Sequence, residues 1–249
     1  GVPHKIGKYH ADRDLTDMVV ERSVAVHNAR TGAVYRRQGD LLFRSNGDLT
    51  TLHGGFVPDL VGLGVAPGAY RLEVQIRDRL SGRQGRYRQQ IVVDDYDEEK
   101  LQLSELQLAH RIGESEEPGT FTKGDLQVIP IPTRTFGQDQ SVFVYYEIYH
   151  LERDDFGQTR YKVEYTIGPK GLSGRKASGI ISQLVKVLTS KKKQFAVGYE
   201  QLGIDDSEVA YMELDMEAAG TGNYYLKVNV TDLNGGAKVS REVGFSVLK

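Results

Sequence analysis

Residues able to do chemistry are present in this chain, but their spacing assembles none of the usual catalytic signatures. The six histidines, His4, His10, His27, His53, His110 and His150, form neither a His-x-His pair nor a His-Glu-x-x-His motif, so the common zinc arrangements are missing. The sequence has no cysteine, which excludes thiolate metal sites, disulfide frameworks and cysteine nucleophiles together. Gly171-Leu172-Ser173-Gly174 falls short of the Gly-x-Ser-x-Gly elbow that exposes a nucleophilic serine. The glycines Gly62, Gly64 and Gly68 have the wrong spacing for a dinucleotide loop, and they lead into a strand pattern where a phosphate site needs a helix N-terminus. Carboxylates are too plentiful for a pair of them to mark a glycosidase. The expectation is a chain that is not an enzyme.

Three groups of side chains remain as candidates for binding. Asp94, Asp95, Asp97, Glu98 and Glu99 crowd into six positions. Calcium takes about six to eight oxygens, which such a run could supply; a solvated, self-repelling linker is the preferred reading, and calcium is the one cofactor kept open. Arg77, Arg79, Arg83, Arg86 and Arg88 could meet phosphate or a polyanion, but Asp78 and the acidic run lie close by, and a solvated hairpin is favoured. Asn229-Val230-Thr231 matches a glycosylation sequon in mid-strand, where a chance match is the better explanation.

The third group is a tyrosine-rich strand over residues 142–149. Alternation places Val144, Tyr146 and Ile148 on one face and Phe143, Tyr145 and Tyr149 on the other. One face meets a core. The second must be covered by a partner or, equally, by the linker or the first domain. Phe143, Tyr145 and Tyr149 are therefore the candidate interaction residues.

The elements that position these groups follow from an internal repeat. Residues 66–78 read APGAYRLEVQIRD and residues 220–232 read GTGNYYLKVNVTD. The alignment pairs Gly68 with Gly222, Tyr70 with Tyr224, Leu72 with Leu226 and Asp78 with Asp232. In each copy apolar residues alternate with polar ones, a turn follows (Ser81-Gly82-Arg83, Asn234-Gly235-Gly236), and another alternating strand closes a β-hairpin. Leu72, Val74, Ile76, Leu226, Val228 and Val230 are expected to point inward. A second correspondence is expected upstream, between residues 18–28 and 142–151 and between the strands that follow them. Tyr70 and Tyr224 stand where an immunoglobulin-like sandwich places its tyrosine corner, a phenol bonded back to the backbone just upstream.

The fold class expected is all-β, two tandem immunoglobulin/fibronectin-III-like β-sandwich domains. The boundary falls near residue 98, giving domains over 1–98 and 99–249, with an opening strand at 101–109 and a loop at 113–124. The segment 179–190 reads as a short helix or a buried strand, its lysine-rich end leaning towards a helix C-terminus. With 39% hydrophobic and 27% charged residues the chain is globular. A net charge of −2 gives no pull towards nucleic acid, and no apolar run is long enough to span a membrane. The opening Gly1-Val2-Pro3-His4-Lys5 lacks the apolar stretch of a signal peptide, which leaves a cytosolic chain or the trimmed part of an exported one.

The succession LQLSELQLA, IPIPTRTFG, VFVYYEIYHL, GQTRYKVEYTI and GNYYLKVNVTD resembles the C-terminal region of bacterial GWxTD-domain proteins, across much of residues 60–249. The chain has no tryptophan, so the naming motif itself is missing. The resemblance implies Ig-like sandwiches and a periplasmic, extracellular or envelope setting, and it carries over no active-site residue. The function expected is a non-catalytic structural or protein-interaction module of such an assembly, with a protein partner or self-association. The alternatives are a carbohydrate-binding module or the accessory region of a larger exported enzyme.

Overall fold

Alternating side chains and glycine-marked turns leave this chain one economical way to bury its apolar residues, which is strand against strand. The computed structural model describes residues 2–3, 7–48, 55–80, 82–170, 185–189, 192–194, 198–216 and 220–249. Among the described residues every regular element is a strand, so the fold is all-β. The chain divides into two compact units, Gly1–Asp97 and Glu98–Lys249.

The first unit contains β1 (Val2–Pro3), β2 (Lys8–His10), β3 (Leu15–Asn28), β4 (Val34–Asn46), β5 (Phe56–Val57), β6 (Gly68–Asp78) and β7 (Gln84–Val93). Its main sheet runs β4-β3-β6-β7, all antiparallel. Strand β2 pairs with residues 15–17 of β3, in line with β6. A small β1–β5 ladder brings Val2 and Val57 onto Met18 and Val20, with Leu41, Phe43 and Ile76 packed around them. Beyond Val57 the chain continues extended, with Asp59, Val61, Leu63 and Val65 half-buried and Leu60, Gly62, Gly64 and Ala66 exposed. Arg22 meets Asp59 at 2.9 Å.

The second unit contains β8 (Gln102–Leu103), β9 (Gln107–Glu114), β10 (Thr122–Lys123), β11 (Leu126–Pro130), β12 (Thr135–Gly137), β13 (Val142–Tyr149), β14 (Thr159–Pro169), β15 (Val185–Thr189), β16 (Lys192–Gln194), β17 (Gly198–Gly203), β18 (Glu208–Leu214), β19 (Gly222–Asp232) and β20 (Lys238–Leu248). One sheet runs β10-β11-β9-β13-β18-β15-β16, with β8 beside β13, and the other runs β12-β20-β19-β14-β17. Val144, Tyr146, Ile148 and Met212 of the first sheet and Val163, Tyr165, Leu226, Val228 and Phe245 of the second are all buried. The rings of Tyr146 and Tyr165 meet edge to face across the sheets. This is a sandwich core. Of the segment read as a short helix or a buried strand, Val185–Thr189 is a strand paired with β18 and β16, while residues 179–184 and 190 lie outside the described residues.

The repeat is present in hydrogen bonds as well as in letters. Tyr70 donates its hydroxyl to the Ala66 carbonyl at 2.7 Å, and Tyr224 donates to the Gly220 carbonyl at 3.1 Å, four residues upstream in each case. The glycine two residues before each tyrosine takes a positive φ, 146° at Gly68 and 156° at Gly222, a backbone that L side chains rarely adopt. The turns match too: Gly82 N–H donates to Asp78 and Gly236 N–H to Asp232, at 2.9 and 3.0 Å. The two hairpins stand in separate sheets.

The upstream correspondence is different from the one expected. Tyr70 pairs with Asn28 and Asp78 with Val20, just as Tyr224 pairs with Pro169 and Asp232 with Tyr161. Strand β3 therefore corresponds to β14, and β4-β3-β6-β7 to β17-β14-β19-β20; β13, the expected counterpart, belongs to the facing sheet. Leu226, Val228 and Val230 are fully buried, whereas Leu72, Val74 and Ile76 are half-buried. The reason is the cover: an eight-stranded sheet faces the first set, and the β1–β5 ladder with its extended continuation faces the second.

Candidate interaction surface

Strand β13 is apolar on both faces, and both faces find cover within their own unit. Val142, Val144, Tyr146 and Ile148 are buried in the sandwich, where the Tyr146 and Tyr165 hydroxyls bond each other and Tyr165 bonds Tyr199 at 3.0 Å. Burial raises the pKa of both Tyr146 and Tyr165 well above the ordinary phenol value, so they are neutral hydrogen-bonding groups.

The opposite face is built by β9, which follows β13 only over Gln107–Ala109 and then pairs with β11. Ala109, Ile112, Leu126 and Val128 close over the Tyr145 ring, with Phe143 and Tyr211 packed beside it. Lys123 Nζ stands 4.3 Å from the centre of that ring. Tyr145 donates to Glu147 Oε1 at 2.7 Å and Tyr149 to Glu147 Oε2 at 2.5 Å. The Glu147 N–H donates to Ser104 Oγ at 2.9 Å. Burial, and then the bond to Glu147, push the Tyr145 phenol up. Burial also works against the Glu147 charge, but the Tyr149 and Tyr145 hydroxyls and Lys123 outweigh it and hold the carboxyl below its usual range. Burial lowers the Lys123 ammonium, with Glu147 opposing.

Of the expected interaction residues, Tyr145 is only 2% exposed, while Phe143 and Tyr149 are half-buried. The ring of Tyr145 therefore belongs to a core of its own unit and is closed to a partner. The arrangement pins the β10–β11 arm to β13, each polar group answering another.

Among the described residues no group of three or more acidic or histidine side chains is placed to hold a metal ion. Asp94, Asp95, Asp97, Glu98 and Glu99 accordingly form no such group. Instead the Asp97 N–H donates to Asp95 Oδ1 at 3.1 Å, and Glu98 pairs with Lys100.

The surface that sequence reasoning saw only in part, as the arginine hairpin over residues 77–88, is the main sheet of the first unit. Tyr35 and Tyr87 lie opposite Val26 and Val74 on the apolar face, at 38% and 55% exposure. On the other face Leu42 and Val92 are each 73% exposed. Between them this second face carries Glu21, Ser23, Arg36, Gln38, Asp40, Arg71, Glu73, Gln75, Arg77, Arg86 and Arg88, all one alternation apart. The signal in the sequence is the unbroken polar run Arg36-Arg37-Gln38-Gly39-Asp40 of β4 and Arg88-Gln89-Gln90 of β7, where a sandwich strand would alternate with apolar residues.

No family model matches the chain, and no curated protein matches it. Among solved structures the chain is similar to a "Putative membrane anchored protein from Corynebacterium diphtheriae", at 8% identity and a TM-score of 0.25, covering 94% of this chain and 56% of that one. The chain thus spans little more than half of that protein's length, and the likeness is too slight to carry an argument about role.

Proposed function

We propose that the chain is a non-catalytic docking module of a bacterial envelope or extracellular assembly, and that the first unit's sheet is the surface that meets a protein partner. One observation carries this reading. The β4-β3-β6-β7 sheet corresponds strand for strand to one whose inner face is buried in the second unit, yet on the equivalent face it leaves Tyr35 and Tyr87 38% and 55% exposed, with Leu42 and Val92 exposed on the other face. Exposed apolar side chains that share one sheet face, as Tyr35 and Tyr87 do, mark contact surfaces, and tyrosine anchors such contacts well. Strands β4 and β7 each have one paired neighbour among the described residues, so both edges can accept an added strand. The envelope setting rests on the resemblance to GWxTD-domain proteins alone.

The test is site-specific photo-crosslinking in cells of the source organism, with benzoylphenylalanine replacing Tyr87. Phe156, 88% exposed in the second unit, is the control position. A discrete protein adduct from Tyr87 and none from Phe156 is expected. No adduct from Tyr87 or from Tyr35, or the same adducts from Phe156, would overturn the reading.

A further inference from the structure

We propose that the polar face of the first unit's sheet binds an extended acidic peptide segment through Arg36, Arg77 and Arg86. This deepens the docking role above and rests on it. The register puts Ser23 of β3 at the centre, directly between Gln38 on β4 and Gln75 on β6, with Arg86 of β7 next in the same row. Arg36 and Arg77 occupy opposite diagonals of Ser23, one row to either side. A small serine amid long side chains leaves a trough of about 450 Å3, lined by Ser23, Arg36, Gln38, Asp40, Gln75 and Arg77 among others. A second hollow of about 190 Å3 shares Ser23, Arg36 and Gln75 and carries the trough on to Arg86 and Arg88.

Charge is uncompensated here. The three carboxylates that border the trough are already engaged. Arg79 holds Glu21 at 2.9 Å and Asp40 at 3.0 Å; Arg88, Arg71 and His27 surround Glu73 at 3.0, 3.4 and 3.4 Å. Arg36, Arg77 and Arg86 are exposed and have no ion-pair partner among the described residues. A guanidinium without a counter-charge offers a planar fork that a carboxylate fits in bidentate fashion.

The chemistry of the floor narrows the occupant. Alternation turns the Tyr35 ring to the opposite face, and Tyr87 is the one aromatic residue bordering either of these hollows, so the trough lacks the row of aromatics on which successive bases or sugar rings stack. Ser23, Gln38 and Gln75 instead offer hydroxyl and amide groups suited to a peptide backbone. Strands lie about 4.8 Å apart, so β4 to β7 is roughly 14 Å, the reach of about four extended residues. Carboxylates about four residues apart would therefore meet Arg36 and Arg86, with one between them near Arg77.

The experiment measures fluorescence anisotropy of a labelled peptide of alternating glutamate and threonine, about twelve residues long, with the full chain at low salt. Its glutamine counterpart is the neutral control. The acidic peptide is expected to bind and the neutral one to fail. Arg36→Gln, Arg77→Gln and Arg86→Gln together should weaken binding about tenfold or more. Replacing the exposed Arg30, Arg37 and Arg111 with glutamine should leave it within about twofold, since the lost charge is equal. No binding, or equal loss in both triple variants, would overturn the proposal. So would a sulfated oligosaccharide displacing the peptide with the same arginine dependence, which would assign the trough to a glycan. If the triple variant fails to fold, Arg86→Gln alone, at the sheet edge, must still weaken binding. Crosslinking from Tyr35 reads the opposite face, so its persistence with a silent peptide sinks this inference and leaves the docking role standing.

Discussion

Replacing Tyr145 with serine separates a core residue from a docking residue. The ring is 2% exposed and enclosed by Ala109, Ile112, Leu126 and Val128. Truncating a buried aromatic costs about 3–5 kcal/mol. The lost hydroxyl bond to Glu147 and the lost contact with Lys123 add about 1 kcal/mol. These losses share a site and do not simply add, so the expected cost is about 4 kcal/mol. At about 2–4 °C per kcal/mol for a unit of this size, its melting temperature should fall by roughly 8–16 °C. The assay is differential scanning calorimetry, with the second unit's transition identified by Leu226→Ala, a fully buried residue of that unit whose truncation costs about 2–5 kcal/mol. Tyr149→Ser, at a half-buried position, should cost only about 1–2 kcal/mol. A Tyr145→Ser chain within about 1 kcal/mol of the parent would mean that the ring is not in a core, and the closed reading of this face would fail.

Tyr70→Phe and Tyr224→Phe each remove one bond to an upstream carbonyl and should each cost about 1 kcal/mol, read as separate shifts of the two units' transitions; a shift in neither would deny the tyrosine corners their role. Tyr145, Tyr146, Tyr161 and Tyr165 all have raised pKa values, burial being the largest cause in each. Their neutral forms favour the fold fully below the unfolded value of about 10, and that stability is lost as pH rises beyond it. In an ultraviolet titration these four should ionise only as the second unit unfolds, and ionisation at the ordinary phenol pH would contradict their burial. Glu147, held low, contributes stability above the ordinary carboxylate range of about 4–4.5 that is lost as pH falls through its folded value; Glu147→Gln should flatten that acid limb. Millimolar calcium, like a chelator, should leave both transitions unmoved, and a shift of more than about 2 °C would reinstate a site at Asp94, Asp95, Asp97, Glu98 and Glu99.

Local patterns were legible and long-range covering was not. The Gly-x-Tyr strands, their turns and the tyrosine bonds depend on residues within a few positions of one another, so alternation and glycine placement were enough to find them. Strand order is different. The runs over residues 18–28 and 142–151 alternate alike, and only hydrogen bonding to the Gly-x-Tyr strand shows that β3 corresponds to β14. Both faces of β13 were readable from its letters, but what covers Tyr145 depends on β9 leaving β13 after Ala109 and turning to β11, with a register shift at Ile129/Pro130. The arginine hairpin was visible as a cluster. Which of its charges are neutralised was not, because Arg79 and Arg88 find Glu21, Asp40 and Glu73 across the sheet, while Arg77 and Arg86 meet no carboxylate among the described residues.

Hydroxyl-radical footprinting of the full chain, read by mass spectrometry on the purified protein and in intact cells, tests most directly whether the first unit's sheet is an open surface that a partner covers. Tyr35 and Tyr87, exposed in the structure, should be oxidised in the purified chain and protected in cells, with Tyr146 and Tyr165 unreactive in both. Protection of Tyr35 and Tyr87 in the purified chain, or equal oxidation in both settings, would contradict the account.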